Sequence, residues 1–122
     1  MKLWENPGMI ILYGIPNCDT VKKARAWLTE HGHTYVFHDF KKQSVPPDKL
    51  ALWARGAGWE KLLNRQGTTW RKLDAAVQAS VMDAASAQML MQAQPSVIKR
   101  PVVDWGQDLT VGFDAAAWAA RL

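Results

Sequence analysis

Ile10-Ile11-Leu12-Tyr13 is a short unbroken apolar run, the pattern of a buried strand, which is read here as Ile10 to Gly14. From Thr20 to His31 the pattern changes period. Val21, Ala24, Leu28 and His31 recur at spacings of three and four, which predicts an amphipathic helix closed by Gly32. His33 to His38 is rich in β-branched and aromatic residues and predicts a second strand. Two strands joined through a helix pair in parallel with a right-handed crossover. A polar loop, Asp39 to Pro47, follows, and then a helix from Asp48 to Ala57 with Leu50, Trp53, Ala54 and Ala57 on one face, broken by Gly56 and Gly58. Trp59 to Leu63 is a short helical turn, Asn64 to Thr69 a loop, and Trp70, Leu73 and Val77 mark another short helix. Ser80 and Asp83 are spaced as a capping box before a helix whose face carries Met82, Ala85, Met89, Leu90 and Ala93, read as core. Pro95 ends it. Short strands are expected at Ser96 to Ile98, Pro101 to Asp104 and Leu109 to Gly112, with Trp105-Gly106-Gln107 as a turn. Asp114 caps a last helix, Ala115 to Leu122, with Trp118 and Leu122 on its apolar face. The order is βαβ, then a helical insert over 48–93, then ββα: an α/β fold around a small mixed sheet. Residues 9–122 read as one domain, with 1–8 as an extension ahead of a natural start at Met9.

At 122 residues the chain is long enough for one real core, and with 48% apolar and 21% charged residues it is globular rather than disordered. Its apolar runs fall far short of the roughly 18 residues that span a bilayer, and no apolar core of a signal peptide precedes Met9. The formal charge is +4, but the cations come in small groups such as Lys22-Lys23-Arg25, Lys41-Lys42, Arg71-Lys72 and Lys99-Arg100. No run or face of them predicts direct nucleic-acid binding. The seven tryptophans mostly fall at helical spacings and read as core. His31, His33 and His38 have no cysteine or carboxylate cluster beside them, so no metal site is expected.

The single cysteine, Cys18, changes the picture more than any bulk property. One cysteine makes no internal disulfide, which fits a reducing, cytoplasmic compartment. It falls in Gly14-Ile15-Pro16-Asn17-Cys18-Asp19-Thr20-Val21-Lys22-Lys23, between the first strand and the first helix. Unpaired N–H groups and a partial positive charge gather at such a helix start and favour a thiolate, which is the nucleophile. Lys22, Lys23 and Arg25 add positive potential. A lone cysteine is also often a small buried hydrophobe, and residue context alone leaves both roles open.

Three segments narrow the reading. Tyr13-Gly14-Ile15-Pro16-Asn17-Cys18-Asp19-Thr20-Val21-Lys22-Lys23-Ala24 resembles the N-terminal signature of the arsenate-reductase-like (ArsC/Spx/YffB) family of the thioredoxin-like superfamily. The stretch from Leu62 to Leu73 resembles its middle segment, and Gln94 to Val103 its Arg-Pro block. The likeness runs from about Met9 to the end and is nearest to the YffB-like branch. It implies a thioredoxin-like fold in which Cys18 is the nucleophile and Arg100 the cation beside it. It also implies a cis Arg100–Pro101 bond facing the cysteine. Asn17, Asp19, Thr20, Lys22, Arg65 and Pro101 are then candidates for holding substrate or glutathione.

The departures carry as much weight. Arsenate reductases have a histidine where this chain has Gly14, an arginine that aligns with Asn64 beside Arg65, and another near Val111. Each charge-assisted bond to an oxyanion contributes about 1.5–3 kcal/mol, so arsenate is not expected as the substrate. Spx-type regulators bind the RNA polymerase alpha subunit and sense oxidants through Cys-x-x-Cys; the second position here is Val21, so that switch and a dithiol mechanism are both absent. The expectation is a monomeric, monothiol reductase with no bound cofactor. Glutathione is its co-substrate, a small thiol or oxyanion its substrate, and glutaredoxin a possible partner protein. Two rivals remain: a non-enzymatic Spx-like regulator bound to the polymerase alpha subunit, and a domain with an inert Cys18.

Overall fold

A computed structural model describes residues 9–122. The expected extension over 1–8 lies outside the described residues. The chain forms two compact units, one made of residues up to Gln43 and from Arg100 onward, the other of Ser44–Lys99.

The first unit is built on a four-stranded mixed sheet of β1 (Ile10–Gly14), β2 (Tyr35–Asp39), β3 (Val102–Asp104) and β4 (Leu109–Val111), in the order β2-β1-β3-β4. Strand β1 is Ile10–Gly14, and all five of its residues are buried. That follows from its place between β2 and β3, and it explains why its sequence is continuously apolar. Helix α1, Asp19–Glu30, buries Val21, Ala24 and Leu28. It ends in a Schellman motif: Gly32 N–H donates to the Thr29 carbonyl at 3.1 Å and His33 N–H to the Leu28 carbonyl at 2.9 Å. Gly32 makes this possible because its φ is +75°, a conformation costly for residues with a Cβ. The same motif corrects the start of the second strand. His33 is held in the helix cap, so β2 is Tyr35–Asp39 and not His33–His38. It pairs with β1 in parallel, from Ile10 opposite Tyr35 to Gly14 opposite Asp39.

The polar loop expected after β2 begins instead with a one-turn helix, α2, Phe40–Gln43. Buried Asp39 organises it: its carboxylate accepts from Lys41 N–H at 2.9 Å, and its own N–H donates to the Gln43 side chain at 3.2 Å. Strand β3, Val102–Asp104, runs antiparallel to β1, with Tyr13 opposite Val102. A turn returns the chain as β4, Leu109–Val111. Asp114 caps the last helix of this unit, Ala115–Arg121, by accepting from Ala117 N–H at 3.1 Å. Its Trp118 is buried among Trp27, Trp105 and Phe113 in edge-to-face contacts with centroids 4.7–5.6 Å apart. Leu122, expected on that apolar face, is about half exposed. The core of this unit joins Ile10, Leu12, Val21, Ala24, Leu28, Val103, Trp105 and Trp118.

The second unit is helical. Helix α3, Pro47–Trp53, starts with proline at its first position, where no N–H is missed. It passes directly into a π-helical turn, Ala54–Gly58, and the break falls at Gly58, with φ +90°, rather than at Gly56. Helix α4, Trp59–Leu62, and α5, Thr68–Arg71, flank a tight turn, so Thr68 and Thr69 are helical and not loop. Helix α6, Ala75–Ala79, is separate from α5, which divides the single helix expected around Trp70, Leu73 and Val77. Helix α7, Ala84–Ala93, has a capping box, but not the expected one. Asp83 is the N-cap and Ser86 its partner, while the Ser80 hydroxyl donates back to the Val77 carbonyl at the end of α6. The buried face also differs, because it is set by packing of α7 on α3 and α4. Ala87 and Met91 are buried, whereas Met82 and Met89 are 78% and 75% exposed. The expected methionine core face is therefore a solvent face. Pro95–Val97 forms a 3₁₀ turn instead of a strand, and of the expected Ser96–Ile98 strand only a single bridge, Leu63 to Ile98, is made.

Candidate functional site

Cys18 is the N-cap of α1, with extended backbone at φ −144° and ψ 122°. Its carbonyl takes the first intrahelical bond, from Lys22 N–H at 2.9 Å, while its thiol makes no capping bond. The N–H groups of Asp19, Thr20 and Val21 precede that first bond, so the sulfur stands where backbone donors and the helix dipole concentrate positive potential. The side chain is half-buried against the core of the sheet unit. Pro16 and Asn17 form an exposed bend ahead of it, and Asp19, Thr20 and Lys22 are exposed on the first turns of α1.

The Arg100–Pro101 peptide bond is cis. Pro101 is buried, and its carbonyl accepts from Gly112 N–H at 2.9 Å, which ties it to the end of β4. Because β1 and β3 are antiparallel neighbours, the end of β1 lies beside the start of β3, Tyr13 opposite Val102. The Cys18 turn and the Arg100–Pro101 bond therefore emerge at the same end of the sheet. Cys18, Asn17, Asp19, Thr20, Lys22, Arg100 and Pro101 all belong to the sheet unit. Arg65 belongs to the helical unit. Its guanidinium lies over the rings of Trp59 and Trp70, with 5.5 and 5.9 Å to the centroids, in the turn where Asn64 accepts from Gln66 N–H.

Two packing details bear on the chemistry. Gly14 closes β1 so tightly on α1 that a Cβ there would lie 2.9 Å from Val21 Cγ2, which leaves no room for the histidine of arsenate reductases. Val21 itself is fully buried, so the position of a second cysteine is filled by core. Near the site, one arginine stands out that the candidate set lacked. Arg25 Nε donates to the Tyr35 hydroxyl at 2.9 Å, and its guanidinium lies 4.1 Å from the Phe37 ring centroid. Its partners lie on β2, ten and twelve residues on, so no local spacing announces them. Among the described residues no group of three or more His, Cys, Asp or Glu side chains stands together as a metal site, and no helix is long and apolar enough to cross a membrane.

These features define a thioredoxin-like α/β domain with one cysteine at its strand-to-helix turn and a cis-proline at the same end of the sheet. The sequence model of the ArsC family matches residues 13–121, and the chain belongs to that family. A solved structure of a protein named YFFB is 51% identical, with a TM-score of 0.87, covering 92% of this chain and 97% of that one. The solution structure of an arsenate reductase (ArsC) related protein from Brucella melitensis is 50% identical, with a TM-score of 0.74, over 94% of this chain and 97% of that one. An uncharacterized protein of Haemophilus influenzae is 37% identical over 92% of this chain and 97% of its own length. The global transcriptional regulator Spx of Bacillus subtilis is 26% identical over 87% of this chain and 81% of its own length.

Proposed function

We propose that the protein is a monothiol, glutathione-linked reductase acting in the cytoplasm as a monomer, with Cys18 as nucleophile. The observation that carries this reading is the place of the only cysteine: a half-buried thiol without a capping bond, at the N-cap of a twelve-residue helix. In the first step the Cys18 thiolate attacks the glutathionyl sulfur of a mixed disulfide. The S–S bond breaks, Cys18 becomes glutathionylated, and the released thiolate takes a proton from water. In the second step a glutathione thiolate attacks the Cys18 adduct, forming glutathione disulfide and restoring the thiolate. In net, one glutathione thiol is consumed: the substrate's partner sulfur leaves as a thiol, and the disulfide level passes to glutathione disulfide. Arg100, a permanent cation with a planar donor fork, supplies the electrostatic partner for the thiolate and for a substrate carboxylate. Asn17, Asp19, Thr20 and Pro101 shape the surroundings of the sulfur, and Lys22 is a further cation for binding. Glutaredoxin is the candidate partner protein for that second step. Arsenate is not the expected substrate on this reading, because Gly14, Asn64 and Val111 stand where the resemblance to arsenate reductases implies cationic or hydrogen-bonding contacts to it.

The test is intact-mass detection of a reversible glutathione adduct, together with glutathione-dependent reduction of a mixed disulfide. A Cys18→Ser protein that still reduced the disulfide would refute the reading. The Spx relative supports a second reading, a non-enzymatic regulator that binds the RNA polymerase alpha subunit. Binding of that subunit at micromolar concentration, with no disulfide reduction, would establish it over the first.

A further inference from the structure

One side of α1 borders a groove of about 420 Å³, lined by Lys22, Arg25, Ala26, Thr29, Glu30 and Tyr35. The groove is shallow and open to solvent, so an occupant would be held by side-chain charges more than by enclosure. The groove is not independent of Cys18 in direction. Cys18, Lys22, Arg25 and Thr29 follow one another at helical spacings of four, three and four, so they fall on one stripe of α1. At the helical rise, Lys22 stands about 6 Å and Arg25 about 10 Å along the axis from Cys18.

Arg25 is built for recognition rather than left on the surface. The Tyr35 hydroxyl takes its Nε–H, and the Phe37 ring lies beneath the guanidinium plane, so the fork is oriented before any ligand arrives. Among the described residues its terminal nitrogens make no hydrogen bond or ion pair. Lys22 has no acidic partner there either. The lining thus presents two cations toward the Cys18 end and one anion, Glu30, at the far end.

We infer that this groove is the recognition subsite for an anionic tripeptide thiol, the part of the disulfide substrate that lies beyond the sulfur attacked by Cys18. The inference rests on the thiol reading above and deepens it. The reacting sulfur of such a tripeptide sits on its middle residue, so each arm reaches about 7 Å from it at the usual 3.3–3.6 Å per residue, which meets Lys22 and, through its long side chain, Arg25. Glutathione carries two carboxylates and one ammonium. The groove carries two cations and one carboxylate, with the opposite net sign. Neutral and cationic disulfides lack the groups that Lys22 and Arg25 would hold.

The test separates binding from reactivity. S-Methylglutathione, which has the charges but no free thiol, is titrated into isotopically labelled protein, and amide shifts are followed. In parallel, Cys18 exchange rates are measured with glutathione disulfide, cystamine and hydroxyethyl disulfide, in the wild type and in Arg25→Gln and Thr29→Glu. Thr29→Glu adds a negative charge to the groove without removing any side-chain contact, so it stands if Arg25→Gln fails to fold. The expected result is shifts along residues 22–30 and a preference for glutathione disulfide over hydroxyethyl disulfide. Either substitution should cut that preference by roughly fivefold. Equal preferences in all three proteins, with no shifts along α1, would sink the groove and leave the thiol reading standing. Shifts along α1 with Cys18 inert to all three disulfides would sink the thiol reading, and with it the groove's part in exchange.

Discussion

Replacing Gly14 with alanine puts one methyl group into the closest packing around the cysteine turn. The added Cβ would lie 2.9 Å from Val21 Cγ2 and 3.5 Å from Cγ1. Real carbon atoms do not approach to 2.9 Å, so something must move. Val21 cannot easily do so: it is fully buried, its β-branched side chain is stiff, and Ile10, Leu12, Ala24 and Leu28 share its cluster. Inserting a methyl into such a core costs about 1–3 kcal/mol. Against this, alanine restricts the unfolded chain and returns about 0.4–1 kcal/mol. The net expectation is a loss of about 0.5–2 kcal/mol. Val21→Ala alone should cost about 2–3 kcal/mol, from lost burial plus a cavity. The double variant should then be more stable than the sum of the two by about 1 kcal/mol, because the new methyl fills part of the space the valine leaves. Urea unfolding followed by tryptophan fluorescence measures all four proteins, with the midpoint read at constant slope. Val21 lies in the first turn after Cys18, so relief of the clash by moving α1 should also change the Cys18 alkylation rate. A Gly14→Ala protein as stable as the wild type, or effects additive to within about 0.5 kcal/mol, would refute the account of this contact.

Other expectations follow from single contacts. Hydrogen bonds from Arg121, at 2.7 and 2.9 Å, hold the Asp108 carboxyl below its usual range. A depressed carboxylate stabilises the fold above its unfolded pKa of about 3.9, and that contribution is lost as pH falls through the lower folded value. The pair is largely solvated, at 28% and 53% exposure, so its worth at neutral pH is about 0.2–1 kcal/mol. The urea midpoints of wild type and Asp108→Asn should therefore converge below pH 4; a gap that persisted there would count against it. Gly32→Ala should lose about 1 kcal/mol in urea, since φ is +75° at that cap, and Gly32→Asn should lose less. On α7, Met91→Ala should cost about 2–5 kcal/mol and Met89→Ala under about 0.5 kcal/mol, as thermal melts will show; the reverse order would restore the face expected from the sequence pattern.

What the sequence made legible divides along a physical line. Strand β1 and helix α1 could be read because each carries its own period over enough residues, with Gly32 marking the stop. Asp114 was legible as a cap because only one short helix follows it. The errors sit where two local devices compete. Ser80 and Asp83 both offer cap chemistry, and the choice between them turns on Ser86, whose hydroxyl and N–H complete the box with Asp83. Which face of α7 is buried, the one with Ala87 and Met91, is set by its packing on α3 and α4, and local spacing does not encode that choice. His33 looked like strand by composition, but its N–H is drawn into the α1 cap by a bond five residues back. At the candidate site, the turn around Cys18 is local and was readable. The clamp on Arg25 depends on parallel pairing of β2 beside α1, and sequence spacing does not encode that distance.

The same packing bears on which substrates this member of the ArsC family can serve. An oxyanion carries its charge on the atoms that react, so a protein that reduces one must gather cations and donors around the sulfur itself. Here the position before the turn is closed by Val21 against Gly14, and β4 ends in the uncharged Val111, opposite Val102. Arg100 is the basic residue next to the cis-proline, at the end of the sheet from which the Cys18 turn leaves. A disulfide asks for something different. Its reacting sulfurs are uncharged, and its charges lie several bonds away on the peptide. On the proposed reading, cations displaced along α1, at Lys22 and Arg25, hold such a ligand without crowding the sulfur. On this reading the site keeps charge away from where a neutral disulfide bond must fit and places recognition where the peptide's own charges lie.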